Sequence, residues 1–504
     1  MEFLQHFGPV FTLTSMAILC GGTIGGLLLG ATPGLSPTMA VALLIPFTFH
    51  MTPIHGLMLL GAAYTATVAG GAISAILLKI PGAPANIATA LDGNAMAKRG
   101  EGAKALQICF ISSFIGGVIG IFILIFLTPV LAKWALGFGP SHLFWIAILG
   151  VTIIGSLDSK SVVKGLLAGA VGLWIAMIGY DSIQGVERFI FSEHLEGGVH
   201  IIAALIGLFA IPQVIEMLES GRTHRVADVV KVQPHSVLKA AAETLSKWVA
   251  LTIGSVVGAI VGLIPGAGGQ IAGLVAYDQT RRFSPNGDKF GTGQSEGVIA
   301  AETANNAMVG PSLVPLLTLS VPGSPTAAVL LGGLLIHGIF PGPNLFVDHA
   351  EVAWAFINSL LVGQLLMLIF GLYLAGFAAH VVRIPPPILA SAVLVLSVFG
   401  AYSVQSSYSD VIVMLALGVG MYFLSKYGFS PAPLVLGVIL GPIAESNYVQ
   451  GRIIAEAGDG LFAYFCTGPL NLVLITLVLA SIIYSVASEI KLRRLDAAKP
   501  GYAS

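Results

Sequence analysis

Charged side chains are scarce in this sequence. Asp, Glu, Lys and Arg make up 9% of its 504 residues, and the formal net charge is −1, whereas soluble domains carry roughly 25% charged residues. Hydrophobic residues reach 56%, and the mean hydropathy is +0.92. So few charges cannot cover a soluble surface of this size, and the near-zero net charge excludes a nucleic-acid binder. The composition therefore predicts a polytopic membrane protein.

Cysteine and aromatic residues are sparse as well. Cys20, Cys109 and Cys466 lie far apart without a CxxC pair, which excludes a disulfide framework. The histidines show no metal-ligand spacing, and no nucleophile or nucleotide-binding motif is present. We therefore expect no enzymatic activity, no cofactor and no metal beyond a possible Na⁺. Aromatics at 9% beside 62 glycines and 27 prolines favour closely packed, interrupted helices over a β-barrel.

Apolar segments recur along the whole chain. Some are shorter than a full crossing needs, which predicts an all-α fold of about ten to fourteen transmembrane or half-spanning helices. The N-terminal residues lack the basic segment of a signal peptide, so we expect the first apolar span to direct insertion. No Lys or Arg precedes Lys79, whereas both occur in the polar stretch after 218 and in the C-terminal tail. The positive-inside rule then predicts an outside N-terminus and a cytoplasmic C-terminus.

Two landmarks occur in both halves of the chain. Glycines spaced by four lead into a Pro-Gly pair at Gly22–Gly34, and the pattern returns at Gly254–Gly266, 232 residues later. Ile80–Pro84 (IPGAP) and Val321–Pro325 (VPGSP) match at an offset of 241 residues. With the charge asymmetry, these landmarks predict an inverted-topology repeat. We divide the chain into an N-terminal membrane repeat (1–217), a cytoplasmic connection (218–247), a C-terminal inverted repeat (248–487) and a cytoplasmic tail (488–504).

The Pro-Gly pairs predict breaks in membrane helices. Proline removes a backbone donor and glycine permits unusual φ, and free backbone groups at membrane depth persist only inside protein or beside a wet cavity. The N-terminal end of a half-helix suits a carboxylate, and the carbonyls of a C-terminal end suit Na⁺. Small polar residues, Thr89 among them, surround the breaks. The predicted substrate site comprises Thr32, Pro33, Gly34, Ser36, Thr38, Lys79, Pro81, Gly82, Asn86, Pro265, Gly266, Gly268, Gln270, Asn305, Asn306, Pro322, Gly323, Ser324 and Thr326. Lys79 either neutralises an anion or extends to the membrane surface.

The segment 296–307 is acidic and rich in amides although it opens an apolar span. Ionisable groups within spans are costly and usually functional. We therefore predict that Glu296, Glu302, Asn305 and Asn306 are candidates for binding a coupling cation. The two asparagines are also candidates for holding a substrate carboxylate, and a buried Glu302 is a candidate proton carrier. We interpret the polar run 92–104 as a cytoplasmic loop.

Together these motifs resemble the large membrane subunit of the tripartite tricarboxylate transporters, the TctA family. The resemblance covers nearly the whole chain and is carried by 30–39 (GATPGLSPTM), 80–100 (IPGAPANIATALDGNAMAKRG), 262–277 (GLIPGAGGQIAGLVAY) and 296–324 (EGVIAAETANNAMVGPSLVPLLTLSVPGS). Lys79 and Ala83 depart from the Asn-x-Pro-Gly-Glu pattern that we expect of the family at the first break.

The resemblance implies a secondary transporter of the bacterial inner membrane, in which the outside N-terminus predicted from the charges would be periplasmic. It implies import of tricarboxylates or dicarboxylates such as citrate by cation symport, with Na⁺ as the coupling ion or H⁺ instead. It also implies alternating access with an elevator-like transport domain and a scaffold. Its partners would be a small four-helix membrane subunit, TctB, and a periplasmic solute-binding protein, TctC. A passive anion channel or a membrane scaffold subunit is the alternative function.

Overall fold

The structure is a computed structural model that describes residues 2–157, 161–180, 185–219, 235–266, 268–375, 386–458 and 460–497. Seven of the described helices are long and apolar enough to cross a membrane, and a bent pair and six shorter apolar helices accompany them. The strands described are Gly179–Tyr180 and Glu187–Arg188, which pair antiparallel as a short hairpin. The prediction of an all-α polytopic membrane fold is confirmed.

The helices follow in chain order. They are α1 (Glu2–Gln5), α2 (Leu13–Ala31), α3 (Pro37–Thr48), α4 (Pro53–Leu78), α5 (Ile87–Met96), α6 (Gly102–Ala135), α7 (Pro140–Leu157), α8 (Val162–Ala176), α9 (Ile201–Glu219), α10 (Val237–Ser246), α11 (Trp248–Leu263), α12 (Gly268–Phe283), α13 (Ser295–Ala307), α14 (Val309–Leu319), α15 (Pro325–Ile336), α16 (Leu345–Asp348), α17 (Ala350–Ala375), α18 (Pro386–Gln405), α19 (Tyr408–Lys426), α20 (Pro431–Glu456), α21 (Leu461–Cys466) and α22 (Pro469–Ala497). Short 3₁₀ turns occur at Gly8–Phe11, Pro84–Asn86, Glu193–Leu195 and Gly287–Lys289, and a π-helical turn at Ala97–Glu101.

The chain forms two compact units. The first consists of Met1–Leu136 with Phe209–Ser407, and the second of Gly137–Leu208 with Tyr408–Ser504. Each unit thus combines a segment from each half of the chain. The repeat boundaries at 217, 247 and 487 stay a prediction, and residues 220–234 of the predicted connection and 498–504 of the predicted tail lie outside the described residues.

Glycines hold the paired helices of the first unit close together. A Cβ placed on Gly26 of α2 would lie 2.7 Å from the carbonyl oxygen of Ala63 in α4. In the second half, a Cβ on Gly258 of α11 would lie 2.5 Å from the carbonyl oxygen of Ala304 in α13. Both distances are shorter than van der Waals contact, so only glycine permits these backbones to approach. Gly258 follows Gly26 by 232 residues and Ala304 follows Ala63 by 241 residues, the same two offsets that relate the sequence landmarks of the two halves.

The Pro-Gly landmarks also adopt matching geometry. Gly82 N–H donates to the carbonyl of Gly71 at 3.2 Å, and Gly323 N–H donates to the carbonyl of Ser312 at 3.0 Å. Each donor and each acceptor is separated from its counterpart by the same 241 residues. The repeat predicted from the sequence is therefore confirmed in its local geometry.

One helix differs between the two halves. In the first half α4 runs unbroken, whereas the second half divides at Met308 into α13 and α14. Pro311 cannot donate to the carbonyl of Ala307, and it stands where the first half has Gly70, which keeps its N–H. The loss of this hydrogen bond favours the interruption at Met308, two residues after the asparagine pair.

The second unit is built around α20, which packs against both α7 and α8, while α22 packs against α7. Here too glycine sets the spacing, since a Cβ on Gly437 of α20 would lie 2.7 Å from the backbone nitrogen of Leu173 in α8. Because Gly437 has no side chain, the backbones of α8 and α20 approach closely at this contact.

Candidate functional site

Four helix N-termini meet in the first unit, near the predicted helix breaks. They belong to α3, α12 and α15, and to the turn Pro84–Asn86 that leads into α5. The hydroxyls of Thr38 and Thr326 are hydrogen-bonded at 3.0 Å, which joins α3 to α15. A Cβ on Gly268 would lie 3.6 Å from Cδ of Pro325, which brings α12 beside α15. The first turns of helices from both halves therefore form one cluster.

Two serines cap helices of this cluster. Ser36 Oγ accepts a hydrogen bond from the N–H of Met39 at 3.3 Å, and Ser324 Oγ accepts one from the N–H of Ala327 at 3.1 Å. Tyr64 in α4 holds Ser324 through a hydroxyl–hydroxyl hydrogen bond of 2.9 Å. A cap satisfies one of the four free N–H groups at a helix start. The positive ends of several helix dipoles thus lie close together, which favours an anion.

Asparagines on α13 lie against this region. Asn305 is fully buried, its Oδ1 lies against Gly269, and neither of its side-chain polar atoms has a hydrogen-bond partner among the described residues. Asn306 Oδ1 and Asn86 Oδ1 are likewise buried without a partner in that part of the chain. An unsatisfied buried polar group costs about 1–3 kcal/mol. Such a concentration of free amide oxygens is typical of a binding site for a ligand or ion.

A buried carboxyl group lies beside these amides. Glu302 is fully buried, and it accepts hydrogen bonds from Asn86 Nδ2 at 3.4 Å, from Ser113 Oγ at 3.0 Å and from Thr89 Oγ1. The described residues place no Lys or Arg in salt-bridge contact with it. The thiol of Cys109 is a further hydrogen-bond partner of this carboxyl group. A carboxyl group surrounded by uncharged hydroxyl, amide and thiol donors is suited to hold either a cation or a proton.

Glu296, the other acidic candidate, lies apart from this group. Its carboxylate forms an ion pair with Lys247 Nζ at 2.6 Å and accepts a hydrogen bond from Ser284 Oγ. Six residues separate it from Glu302, which is about 9 Å along a helix. The structure thus joins Glu296 to the junction of α10 and α11, and it brings Glu302 to the asparagines.

Comparison with known proteins identifies the family of this chain. The model of the tripartite tricarboxylate transporter TctA family matches residues 16–436. This chain belongs to the TctA family. It is therefore a multi-pass membrane component of a tripartite tricarboxylate transporter.

Two proteins from Agrobacterium vitis are similar in sequence to this chain. The "uncharacterized 52.8 kDa protein in TAR-I ttuC' 3'region" is 33% identical over 475 residues, which cover 94% of this chain and 93% of the relative. The "uncharacterized protein in TAR-II ttuC' 3'region" is 34% identical over 237 residues, or 47% of this chain and 97% of that relative. No solved structure matches the chain.

Other predicted residues of this TctA-family chain shape the backbone at the breaks. Gly266 N–H donates to the carbonyl of Gly323 at 3.1 Å, which joins the two breaks of the second half. A Cβ on Gly82 would lie 2.5 Å from the carbonyl oxygen of Gly30. Thr32 Oγ1 donates to the carbonyl of its own helix at Leu28, at 3.0 Å. These residues set the path of the chain around the site.

The remaining predicted residues lie at the rim or beside the breaks. Gly34 and Gln270 are exposed, Pro33, Pro81 and Pro265 are half-buried, and Pro322 is buried. Lys79 is exposed at the C-terminal end of α4, where its φ of 61° equals that of Ser320, its counterpart 241 residues later. A left-handed conformation is unfavourable for both side chains. Its occurrence at both positions therefore reflects the backbone geometry that the two halves share at these helix ends. Their roles in binding stay a prediction.

The interpretation of 92–104 as a loop was wrong. Asp92 is buried on α5, and its Oδ1 accepts hydrogen bonds of 2.7–2.8 Å from the N–H groups of Gly291, Gly293 and Gln294. Its Oδ2 accepts one from the hydroxyl of Tyr277 at 2.8 Å. Asp92, which the sequence suggested to be part of a loop, is instead hydrogen-bonded to backbone N–H groups about 200 residues later in the chain. Asp92 fixes α5 against α12 and the loop before α13, and so supports the site.

We predict that Asp92→Ala destabilises the protein by at least about 3 kcal/mol, because three backbone donors lose their charged acceptor. Asp278→Ala is the matched control. Asp278 pairs with Arg282 on the exposed face of α12, and such pairs contribute less than about 1 kcal/mol. Thermal unfolding of both purified variants in detergent measures the difference, and equal melting temperatures would contradict the role assigned to Asp92.

Proposed function

We propose that this chain is the permease subunit of a binding-protein-dependent secondary transporter. It imports a tricarboxylate or dicarboxylate, such as citrate, by Na⁺ symport with alternating access. The observation that carries the proposal is the convergence of four helix N-termini beside the unpaired amide of Asn305. Membership of the tripartite tricarboxylate transporter TctA family supports a carboxylate substrate.

The substrate carboxylates bind at the converging N-termini. Each helix start carries a partial positive charge of roughly half a unit, and several of them balance a multiply charged anion better than a single one. The hydroxyls of Thr38 and Thr326 and the amide of Asn305 supply directional hydrogen bonds. Because no lysine or arginine is needed at the contact, the anion is held without a strong salt bridge and can be released.

The coupling cation binds next to the anion. Glu302 supplies a negative charge, and the free amide oxygens of Asn86 and Asn306 supply neutral ligands of the kind that Na⁺ accepts. In a low-dielectric site, an adjacent cation offsets the charge of the substrate. Binding of each ion therefore favours binding of the other, which is the requirement for symport. A proton on Glu302 is the alternative coupling ion.

The first unit contains all four breaks, and it is our candidate for an elevator-like transport domain. The partners are a small TctB-like membrane subunit and a TctC-like periplasmic protein that delivers the carboxylate. We place the assembly in the bacterial inner membrane, with the N-terminus of this chain in the periplasm and its C-terminus in the cytoplasm.

Uptake by proteoliposomes that contain both membrane subunits, supplied with loaded binding protein, tests the proposal. With a tenfold inward Na⁺ gradient at fixed pH, we expect accumulation up to about tenfold per coupled ion, since 1.4 kcal/mol is a factor of ten. Replacement of Na⁺ by choline should abolish the accumulation. A passive anion channel would only equilibrate the substrate and would not respond to the gradient, and a scaffold subunit would show no uptake of its own.

A further inference from the structure

The polar residues of the first unit are distributed unequally between the two halves of the repeat. An exact inverted repeat would form two equivalent sites, one in each half. Glu302, however, has Gly61 as its counterpart 241 residues earlier, and Asn306 has Thr65. One of the two related positions thus carries a carboxyl group, and the other has no side chain.

The helices beside these two positions are related by an offset of 247 residues. α6 brings Ser113 and Cys109 to the carboxyl group of Glu302. The residues 247 positions later on α17 are Leu360 and Phe356, and both are buried. Hydrogen-bonding groups therefore surround the position in one half, whereas hydrocarbon surrounds the related position in the other.

The two apolar side chains of α17 close the position at Gly61. A Cβ on Gly61 would lie 2.8 Å from Cδ2 of Leu360 and 2.8 Å from Cε2 of Phe356. Both distances are shorter than van der Waals contact between carbon atoms. Leu360 and Phe356 therefore occupy the volume that a carboxylate at position 61 would need.

The donors from α5 have apolar counterparts as well. Asn86 and Thr89 donate to the carboxyl group of Glu302, whereas the residues 241 positions later on α15 are Ala327 and Leu330. Both counterparts are fully buried. A cation in this half would face hydrocarbon in place of the carboxyl, amide and hydroxyl groups, and burial of such an unpaired charge is strongly unfavourable.

The remaining polar groups differ in their hydrogen bonds. Oδ1 of Asn306 is buried and has no partner among the described residues. Oγ1 of its counterpart Thr65 donates to carbonyl groups of its own helix, at 3.2 Å and 3.0 Å. The hydroxyl of Tyr64, the counterpart of Asn305, is hydrogen-bonded to two serine hydroxyls, at 3.3 Å and 2.9 Å. Free oxygen ligands thus occur at the Glu302 position, whereas the hydroxyls of Thr65 and Tyr64 already have partners.

We propose that the repeat retains a cation site in one half only, so that one Na⁺ is coupled to each transport cycle. Glu302 and the free amide oxygens of Asn86 and Asn306 hold this cation, and α17 keeps the related position at Gly61 closed. The inference rests on the proposed function, because it specifies the stoichiometry of that symport.

The gradient of free substrate at which net flux stops measures the stoichiometry in the wild-type protein. Proteoliposomes with both membrane subunits receive excess binding protein, so that efflux can occur as well as influx. Valinomycin and equal K⁺ hold the membrane potential at zero, and the pH is equal on both sides. Under a tenfold inward Na⁺ gradient, one coupled ion balances about tenfold accumulation, and two ions balance about hundredfold accumulation.

Tenfold accumulation supports the proposal, and hundredfold accumulation overturns it. These two results leave Na⁺ symport itself intact. Accumulation that does not respond to Na⁺ would instead contradict the proposed function, and the single-cation inference would fail with it.

Two variants compare the related positions directly. Asn306→Leu and Thr65→Val each replace a polar side chain by an apolar one of similar size. Asn306→Leu should raise the Na⁺ concentration for half-maximal uptake by at least about tenfold, whereas Thr65→Val should change it by less than about twofold. A monodisperse elution profile checks the fold of both variants. Equal increases in the two variants, or no increase in Asn306→Leu, would overturn the assignment of the cation to one half.

Discussion

Glu302→Gln is expected to reduce Na⁺-driven uptake by about a hundredfold, equal to ~2.7 kcal/mol. Glutamine keeps the volume of the side chain but removes the charge that would hold the cation. Its NH₂ group would also face hydrogen-bond donors that now donate to the Glu302 carboxylate. Uptake into proteoliposomes under a Na⁺ gradient measures the effect. Glu351→Gln, an exposed position on α17, is the control and should transport normally.

A second assay separates coupling from substrate binding. Exchange of labelled for unlabelled carboxylate across the membrane needs no net cation movement. If Glu302 serves the coupling ion, Glu302→Gln should retain this exchange at saturating substrate but with a higher KM, because the cation no longer favours substrate binding. Asn305→Ala should lose both exchange and net uptake. Full Na⁺-driven uptake by Glu302→Gln would remove Glu302 from the mechanism. Loss of exchange in Glu302→Gln even at saturating substrate would instead assign Glu302 to the substrate.

Gly26→Ala is expected to destabilise the protein by about 1–3 kcal/mol, the usual cost of overpacking a core. The new methyl group would meet the backbone of α4, 2.7 Å from the carbonyl oxygen of Ala63, and α2 would have to move outward. Gly25→Ala changes the neighbouring residue of the same helix, where a Cβ has no neighbour within 4 Å. That control should be neutral or stabilising by about 0.5–1 kcal/mol, because alanine favours a helix.

The repeat extends this prediction to the second half. A Cβ on Gly258 meets α13 as a Cβ on Gly26 meets α4, so Gly258→Ala should lower the melting temperature in detergent to a similar degree. If Gly25→Ala and Gly26→Ala melted at the same temperature, the close approach of α2 and α4 would not be the source of stability.

Much of the fold could be predicted because its causes are local. Scarce charge forces the chain into a membrane, and a membrane forces the backbone into helices. Proline and glycine act on the backbone wherever they occur, so the breaks near Pro81 and Pro322 could be located from the sequence. The repeat was visible because the same local geometry was needed in both halves.

The residues that the structure brings together at the candidate site were predicted only in part. Thr38, Asn305 and Thr326 were identified because polar groups beside a membrane break are conspicuous. Ser113 and Tyr64 were missed, since a single hydroxyl in an apolar helix is more often satisfied by its own helix than by a ligand site. Asp92 was misread because its acceptors are backbone N–H groups, which have no signature in the sequence.

The sequence by itself determined the class of protein, the helical fold, the internal repeat and the positions where helices break. The tertiary structure alone decided which breaks meet and which polar groups share partners. Thr38 reaches Thr326 across 288 residues, and Glu302 reaches Asn86 across 216. Composition and propensity act over a few residues, whereas these contacts depend on how glycine-lined helices from both halves pack, and packing is a property of the whole chain.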